Sequence, residues 1–142
     1  MKNLATVAIM SVALLGSQVA NAHHVPAPSG ALSGIVTVKK GLELECQLDM
    51  NFNPSTGMVG ISLTPGDPRC AALVLSSSSY GYSYNPGTHE VTVNGVYVTT
   101  ITLGDCTGNI SGEGDGAGLF IDAILPTATV PTADCTVFGY ID

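Results

Sequence analysis

The sequence of 142 residues contains no tryptophan, three phenylalanines and three histidines. Lysine and arginine number four against eleven acidic residues, which gives a formal net charge of −7. So few cations cannot form a cluster that displaces counterions from phosphates, and this argues against nucleic-acid binding. Beyond residue 22 no apolar stretch is long enough to cross a bilayer, so we expect no integral membrane segment there.

Groups for acid–base or nucleophilic catalysis are also scarce. There is no G-x-S-x-G motif, and the only histidine far from the N-terminus is His89. Glu43 and Glu45 share one predicted strand face, but they share it with other polar residues, as on any solvated face. The sequence contains no C-x-x-C pair, so it gives no indication of a zinc site. We therefore expect a protein that is not an enzyme and needs no cofactor.

The N-terminus has the layout of a secretory signal peptide. Lys2 supplies a positive start, residues 4–16 form a short apolar stretch, and Ala20-Asn21-Ala22 places small residues where a signal peptidase cleaves. We expect residues 1–22 to be removed, so that the mature chain begins at His23. The destination is then extracellular or the cell surface, with the periplasm as the alternative.

The four cysteines, Cys46, Cys70, Cys106 and Cys135, all lie in the mature part. An even number of cysteines in an exported chain predicts disulfides, since such compartments are oxidising. Four cysteines allow three pairings, and the sequence alone does not choose among them. Their spacing, one pair in each half of the chain, favours Cys46–Cys70 with Cys106–Cys135.

Alternation of apolar and polar residues predicts strands along most of the mature chain. Residues 42–52 alternate without a break, the turn residues 53–57 follow, and residues 58–64 return as the second strand of a hairpin. Asn94-Gly95 between two β-branched runs predicts a second, tight hairpin. Residues 104–118, rich in glycine and acidic residues, are predicted to be a loop.

These patterns predict one all-β domain. Residues 23–32 form an extended lead-in, and residues 33–142 a single β-sandwich-like domain of seven to nine short antiparallel strands with two disulfides. The remaining 120 or so residues of the mature chain suffice for one hydrophobic core.

Three groups of residues are candidate binding sites. Tyr80, Tyr82 and Tyr84 alternate along one strand and could present a surface for sugars or apolar material, although covering the edge of the core is the commoner role of such residues. Residues 112–116 could lend carboxylates to calcium, although a solvated loop is commoner.

Copper is the third candidate ligand. A free amine and imidazole at His23 could chelate Cu²⁺ as a histidine brace, with His24 or His89 as the partner. The prolines that follow argue instead for a mobile tail.

The four cysteine segments resemble a known family. They are Leu44-Glu45-Cys46-Gln47-Leu48, Cys70-Ala71-Ala72-Leu73, the loop that begins Cys106-Thr107-Gly108, and the closing Cys135-Thr136-Val137. This order of cysteines among Ser-, Thr- and Gly-rich strands is similar to that of the small secreted activators of alkane oxidation. The resemblance implies an extracellular or cell-surface protein that helps cells use or emulsify hydrophobic substrates, with a further role in biofilm, and it implies no catalytic residues.

The sequence thus predicts a secreted, non-enzymatic surface protein whose partner is a hydrophobic substrate, a cell surface or a matrix. Self-association is a further expectation. The first alternative is a fimbrial or matrix subunit that assembles by strand addition. The second is a copper protein that uses His23.

Overall fold

The structure, a computed structural model, describes residues 24–64, 68–100 and 103–142. The described residues form nine strands, and a short 3-10 helix, Pro68–Ala72, precedes the fourth. The strands are β1 (Gly30–Lys40), β2 (Leu42–Asn53), β3 (Met58–Thr64), β4 (Leu73–Leu75), β5 (Ser79–Asn85), β6 (Glu90–Thr100), β7 (Cys106–Gly114), β8 (Leu119–Leu125) and β9 (Cys135–Ile141).

The strands pair antiparallel in a closed ring. The order β5-β3-β2-β1-β9-β8-β7-β6 returns to β5, because β6 pairs with β7 on one side and with β5 on the other. The fold is therefore a closed eight-stranded barrel, with β4 paired to the second half of β6. The all-β prediction is confirmed, but the predicted sandwich is wrong, since β6 joins the two edges that a sandwich would leave apart.

The first hairpin is confirmed in its predicted place. β2 pairs with β3 from Gln47 opposite Thr64 to Asn53 opposite Met58. The turn between them is held by Asn53, whose carbonyl accepts hydrogen bonds from the amides of Thr56 and Gly57. The uninterrupted period-2 pattern of β2 is sufficient to set this register, because a one-residue slip would turn its apolar side outward.

The predicted hairpin at Asn94-Gly95 is wrong, because these residues lie inside one continuous strand. Between the pairs Val93–Ile110 and Val96–Gly108, two residues of β6 face one residue of β7, which is a β-bulge. Gly95 has φ of 67°, and its amide donates to Oδ1 of Asn109 at 3.1 Å. The bulge changes the phase of the strand, so that Val93 and Val96 both point into the core.

The predicted loop over residues 104–118 is also wrong in its larger part. Residues Cys106–Gly114 form β7, which pairs with β6 along its length and with β8 at its end. Many glycines and polar residues lower the intrinsic strand propensity of this segment. Pairing on both sides compensates for it, and only the turn that follows remains a loop.

The inward residues of all nine strands form one hydrophobic core. Both disulfides lie within it: Cys46–Cys70 ties β2 to the 3-10 helix, and Cys106–Cys135 ties β7 to β9. The pairing favoured by the spacing is confirmed. Its two loops, of 24 and 29 residues, are each expected to contribute about 3 kcal/mol to stability.

One charged side chain, Lys40, is buried in the described part of the chain, at the disulfide end of the barrel. Its ammonium donates to the carbonyl of Ala133 at 2.6 Å and lies 3.3 Å from both Thr132 Oγ1 and Cys106 Sγ. These contacts replace the water that the ammonium loses, which a buried charge requires. Lys40 thereby joins the end of β1 to the segment that precedes β9.

The conformation of Gly95 can be tested by substitution. We expect Gly95→Ala to lower the free energy of unfolding by about 1 kcal/mol, because a side chain disfavours the left-handed conformation. Gly81→Ala is the control, since Gly81 lies in β5 with open space around its Cα and outside that conformation. Urea unfolding of the oxidised proteins measures both. Equal stabilities for the two variants would show that the bulge does not need glycine.

Candidate functional site

The outer face of β8 and β9 is unusually apolar. In β8 the residues Leu119, Ile121, Ala123 and Leu125 point inward, which leaves Phe120 and Ile124 outside with Asp122 between them. In β9 the disulfide fixes Cys135 inward, so Phe138 and Tyr140 point outward. The neighbouring strand β1 adds Ile35 to the same outer face. We call these five residues the outer apolar patch: Ile35, Phe120, Ile124, Phe138 and Tyr140.

The members of the patch are neighbours in the sheet. Phe120 and Phe138 meet edge to face, with ring centroids 5.1 Å apart and an angle of 88°. Asp122 pairs with Phe138 and Thr136 with Ile124, so Ile124 lies diagonally next to Phe138. On the other side Thr37 pairs with Phe138, which places Ile35 on the adjoining diagonal. The exposed fractions are 63% for Ile124, 54% for Ile35 and 51% for Phe138.

Tyr140 anchors one end of the patch to the β7–β8 turn. Its hydroxyl donates to Oδ2 of Asp115 at 2.9 Å, and Oδ1 of Asp115 accepts the amides of Gly118 at 2.8 Å and Ala117 at 2.9 Å. The amides of Gly118 and Ala117 and then the Tyr140 hydroxyl lower the pKa of Asp115, and the hydrogen bond to Asp115 raises the pKa of Tyr140. The Asp115 carboxylate is thus used in building the turn.

A polar outer surface on β2 lies next to the patch, on the other side of β1. Glu43, Glu45 and Gln47 on β2 are exposed, and Asp49 lies on the same outer side. Asp49 accepts hydrogen bonds from Ser33 and from Gln47, the latter at 3.1 Å, and both lower its pKa. The barrel therefore has an apolar side and an acidic side, with β1 between them.

The three tyrosines that the sequence offers as a candidate binding surface lie on the inner side of β5. Tyr80 is 6% exposed, and Tyr82 packs edge to face on Phe52 with centroids 5.0 Å apart. Tyr84 is half-buried, and its hydroxyl donates to the carbonyl of Val25. This placement agrees with the alternative interpretation, in which they cover the edge of the core. Surface binding by Tyr80, Tyr82 and Tyr84 stays an untested prediction that the geometry does not favour.

Two of the histidines considered for copper, His24 and His89, lie at the barrel end away from the disulfides. His24 is exposed, His89 is half-buried at the start of β6, and His23 lies outside the described residues. Within the described ranges no group of three or more histidine, cysteine or carboxylate side chains could hold a metal ion. In the same ranges no helix is long and apolar enough to cross a membrane.

The lumen of the barrel offers little room for a ligand. An apolar cavity near the disulfide end, lined among others by Val38, Leu48 and Val98, measures about 30 Å³. Ligand pockets usually measure about 300–1,000 Å³. This cavity in the described part of the barrel is therefore too small for a substrate-sized molecule.

Sequence reasoning missed the outer apolar patch, although a signal for it was present. Residues 119–125 are apolar on both faces apart from Asp122, a pattern that favours a buried strand. The charge of Asp122 indicates which side of β8 faces outward, because a carboxylate must face water. Phe120 and Ile124 lie on the same side of the strand as Asp122. In β9 the disulfide residue Cys135 gives the same information for Phe138 and Tyr140.

A family model described as "Alkane oxidation protein activator PraA/PraB-like" matches residues 1–142, the whole chain. No curated protein and no solved structure matches this chain. The family match thus covers the barrel, both disulfides and every residue of the outer apolar patch.

The lowered pKa of Asp115 gives a prediction of pH dependence. Its pKa in the folded state is below the ordinary value of 3.8, so the stabilisation is present above that pH and is lost as the pH falls through the folded value. We expect Asp115→Asn to be less stable than the wild type at pH 6 and equally stable near pH 2. Urea unfolding at both values measures this.

Asp122→Asn is the control for Asp115→Asn, because it removes the same charge from the same barrel side without touching the turn. A stability difference between Asp115→Asn and the wild type that persists unchanged at low pH would contradict the assignment.

Proposed function

Because this chain belongs to the PraA/PraB-like family of alkane oxidation protein activators, as its cysteine segments predicted, we propose that it is an exported, non-enzymatic protein that adsorbs to hydrophobic substrates. The outer apolar patch is the adsorbing surface. The observation that supports this most directly is the exposed pair Phe120–Phe138, flanked by Ile124 and Ile35. The adsorbed protein would disperse the hydrocarbon as small droplets. Cells would then take up the hydrocarbon more readily.

The free energy expected for adsorption of the patch is consistent with reversible binding to an oil surface. Full burial of a large apolar side chain contributes about 1.5–3 kcal/mol. The patch residues are already about half covered, so each contributes about 1 kcal/mol on contact with oil. Five such residues on a rigid barrel give a few kcal/mol, enough for coating an interface without unfolding at it.

The acidic side of the barrel completes the amphipathic arrangement. With the patch in the hydrocarbon, the β2 side carrying Glu43, Glu45 and Asp49 lies across β1 toward the water. The excess of acidic over basic residues would give coated droplets a common negative sign. Like charge keeps such droplets apart, which stabilises an emulsion. Association with a cell surface or biofilm matrix, also implied by the resemblance, would use the same patch.

Assembly by strand addition, the first alternative, has less support from the geometry. A fimbrial or matrix subunit of this kind offers a long unpaired strand edge. Closure between β6 and β7 pairs the strands that would otherwise form the two edges. Of the described strands, β4 is the one that has a single neighbour, and it has three residues.

The adsorption proposal is tested by removing the patch without changing the strands. We expect the triple variant Phe120→Thr, Ile124→Thr and Phe138→Thr to lose most of the ability to lower the tension of a hexadecane–water interface. Threonine is polar and favours strands, so the barrel is retained. A pendant-drop measurement, with circular dichroism as a check of folding, gives the result.

The matched control removes three exposed apolar side chains from other parts of the barrel: Leu42→Thr, Met58→Thr and Val74→Thr. It should lower the tension as the wild type does. If the two triple variants behave alike, or if the folded wild type has no effect on the interface, adsorption through the patch is wrong.

A further inference from the structure

Lys40 places a buried positive charge against one sulfur of the second disulfide. Its ammonium lies 3.3 Å from Sγ of Cys106, and it also donates to the carbonyl of Ala133 at 2.6 Å and to Thr132 Oγ1 at 3.3 Å. These three partners, all within the described residues, are neutral. Since a buried cation is best stabilised by an anion, the ammonium would gain from a negative charge on the adjacent sulfur.

The carboxylates nearest to this disulfide in the sequence are engaged elsewhere. Asp105 and Asp134 each directly precede one of its cysteines. Oδ2 of Asp105 accepts the hydroxyl of Tyr97 at 2.8 Å, and Oδ1 of Asp134 accepts the amide of Thr127 at 2.8 Å. In the described part of the chain, therefore, the hydrogen bonds of the Lys40 ammonium include no carboxylate.

The two disulfides have opposite electrostatic surroundings. A neighbouring cation favours a thiolate over a thiol, so the Lys40 ammonium would stabilise Cys106 once its disulfide is reduced. In the first disulfide, Sγ of Cys70 lies 3.2 Å from the carbonyl oxygen of Glu45, whose partial negative charge disfavours a thiolate. A disulfide whose reduced form is stabilised is reduced more easily. The second disulfide should therefore be the more easily reduced of the two.

The connection between β8 and β9, residues 126–134, gives access to this disulfide. It leads directly into Cys135 and contacts both Lys40 and Cys106. One isolated bridge, between Thr127 and Cys106, is its ladder pairing, and Val130 within it is 85% exposed. Segments with few ladder hydrogen bonds open locally at a lower cost than strands. Opening of this connection would expose the sulfur of Cys135 first.

We propose that Cys106–Cys135 is a redox-active disulfide, which exchanges with an external dithiol while Cys46–Cys70 stays closed. A thiolate of the dithiol attacks Sγ of Cys135, the S–S bond breaks, and Cys106 leaves with the electron pair as a thiolate beside Lys40. The second sulfur of the dithiol then attacks the mixed disulfide and releases Cys135.

The exchange transfers two electrons from the dithiol, which becomes a disulfide, to the protein. One proton of the dithiol goes to solvent and the other to Cys135. Lys40 keeps its charge throughout and acts as a positioning residue. The site is separate from the outer apolar patch, so the inference is independent of the adsorption proposal.

The test follows each disulfide separately in mixtures of reduced and oxidised dithiothreitol at pH 8. Trapping of free thiols with iodoacetamide, followed by peptide mass analysis, gives the reduced fraction of each cysteine pair. In the wild type, Cys106–Cys135 should be half reduced at a ratio of reduced to oxidised dithiothreitol about tenfold lower than Cys46–Cys70. Circular dichroism should show that the barrel is retained when this one disulfide is reduced.

Removal of the charge separates this role of Lys40 from a structural one. Lys40→Met keeps the aliphatic chain, and Lys40→Gln also keeps a donor for the carbonyl of Ala133. Both variants should need a ratio about tenfold higher to reduce Cys106–Cys135, because the thiolate loses its cation. A merely structural loss would act in the opposite direction, since a less stable fold holds the two thiols together less firmly. Lys39→Gln, at the exposed neighbouring position, is the control and should behave as the wild type.

A measurement on the wild type alone applies even where the Lys40 variants do not fold. With this one disulfide reduced, Cys106 should reach half of its maximal rate of alkylation at a lower pH than Cys135. The proposal is overturned if the two disulfides are reduced in a single step, or if Cys135 reacts at the lower pH. It is equally overturned if the folded Lys40 variants are reduced as easily as the wild type or more easily.

Discussion

Closure of the sheet by the pairing of β6 with β7 is the constraint on which the rest of the structure depends. In a closed sheet every strand has one side in the lumen, and that side must be apolar and must fill the space. β2 meets this requirement by strict alternation, whereas β6 meets it only through the bulge at Gly95, which keeps Val93 and Val96 both inside. The same bulge lies where β6 exchanges β5 for β4 as its neighbour.

The features that sequence patterns predicted correctly are local. The alternation of β2 and the turn after Asn53 each depend on residues close together in the chain, and each disulfide joins cysteines that are consecutive among the four. The Asn94-Gly95 error shows the limit, because a tight hairpin and a glycine bulge both require a residue with positive φ. The pairing of β6 with β7 and β5 decides between the hairpin and the bulge. No local sequence pattern carries information about that pairing. The choice between sandwich and barrel is equally a matter of distant pairings.

The candidate site was harder to predict for a different reason. Aromatic residues in an otherwise apolar strand are usually core residues. The tyrosines of β5, separated by glycine and serine, had the clearer surface signature, yet they are the ones that face inward. In a small closed barrel the lumen is already filled, so further apolar residues such as Phe120 and Ile124 remain outside. An excess of apolar residues over what one lumen can hold is the physical signal of such a patch.

The connectivity of the disulfides has a consequence for how the protein matures. Each bridge joins cysteines that are consecutive in the chain, Cys46 with Cys70 and Cys106 with Cys135. If the chain is exported from its N-terminus, the first pair is complete before Cys106 emerges. An oxidase acting in order of emergence then forms the native bridges directly, and the chain needs no isomerase to rearrange them. Nested or crossed bridges would not have this property.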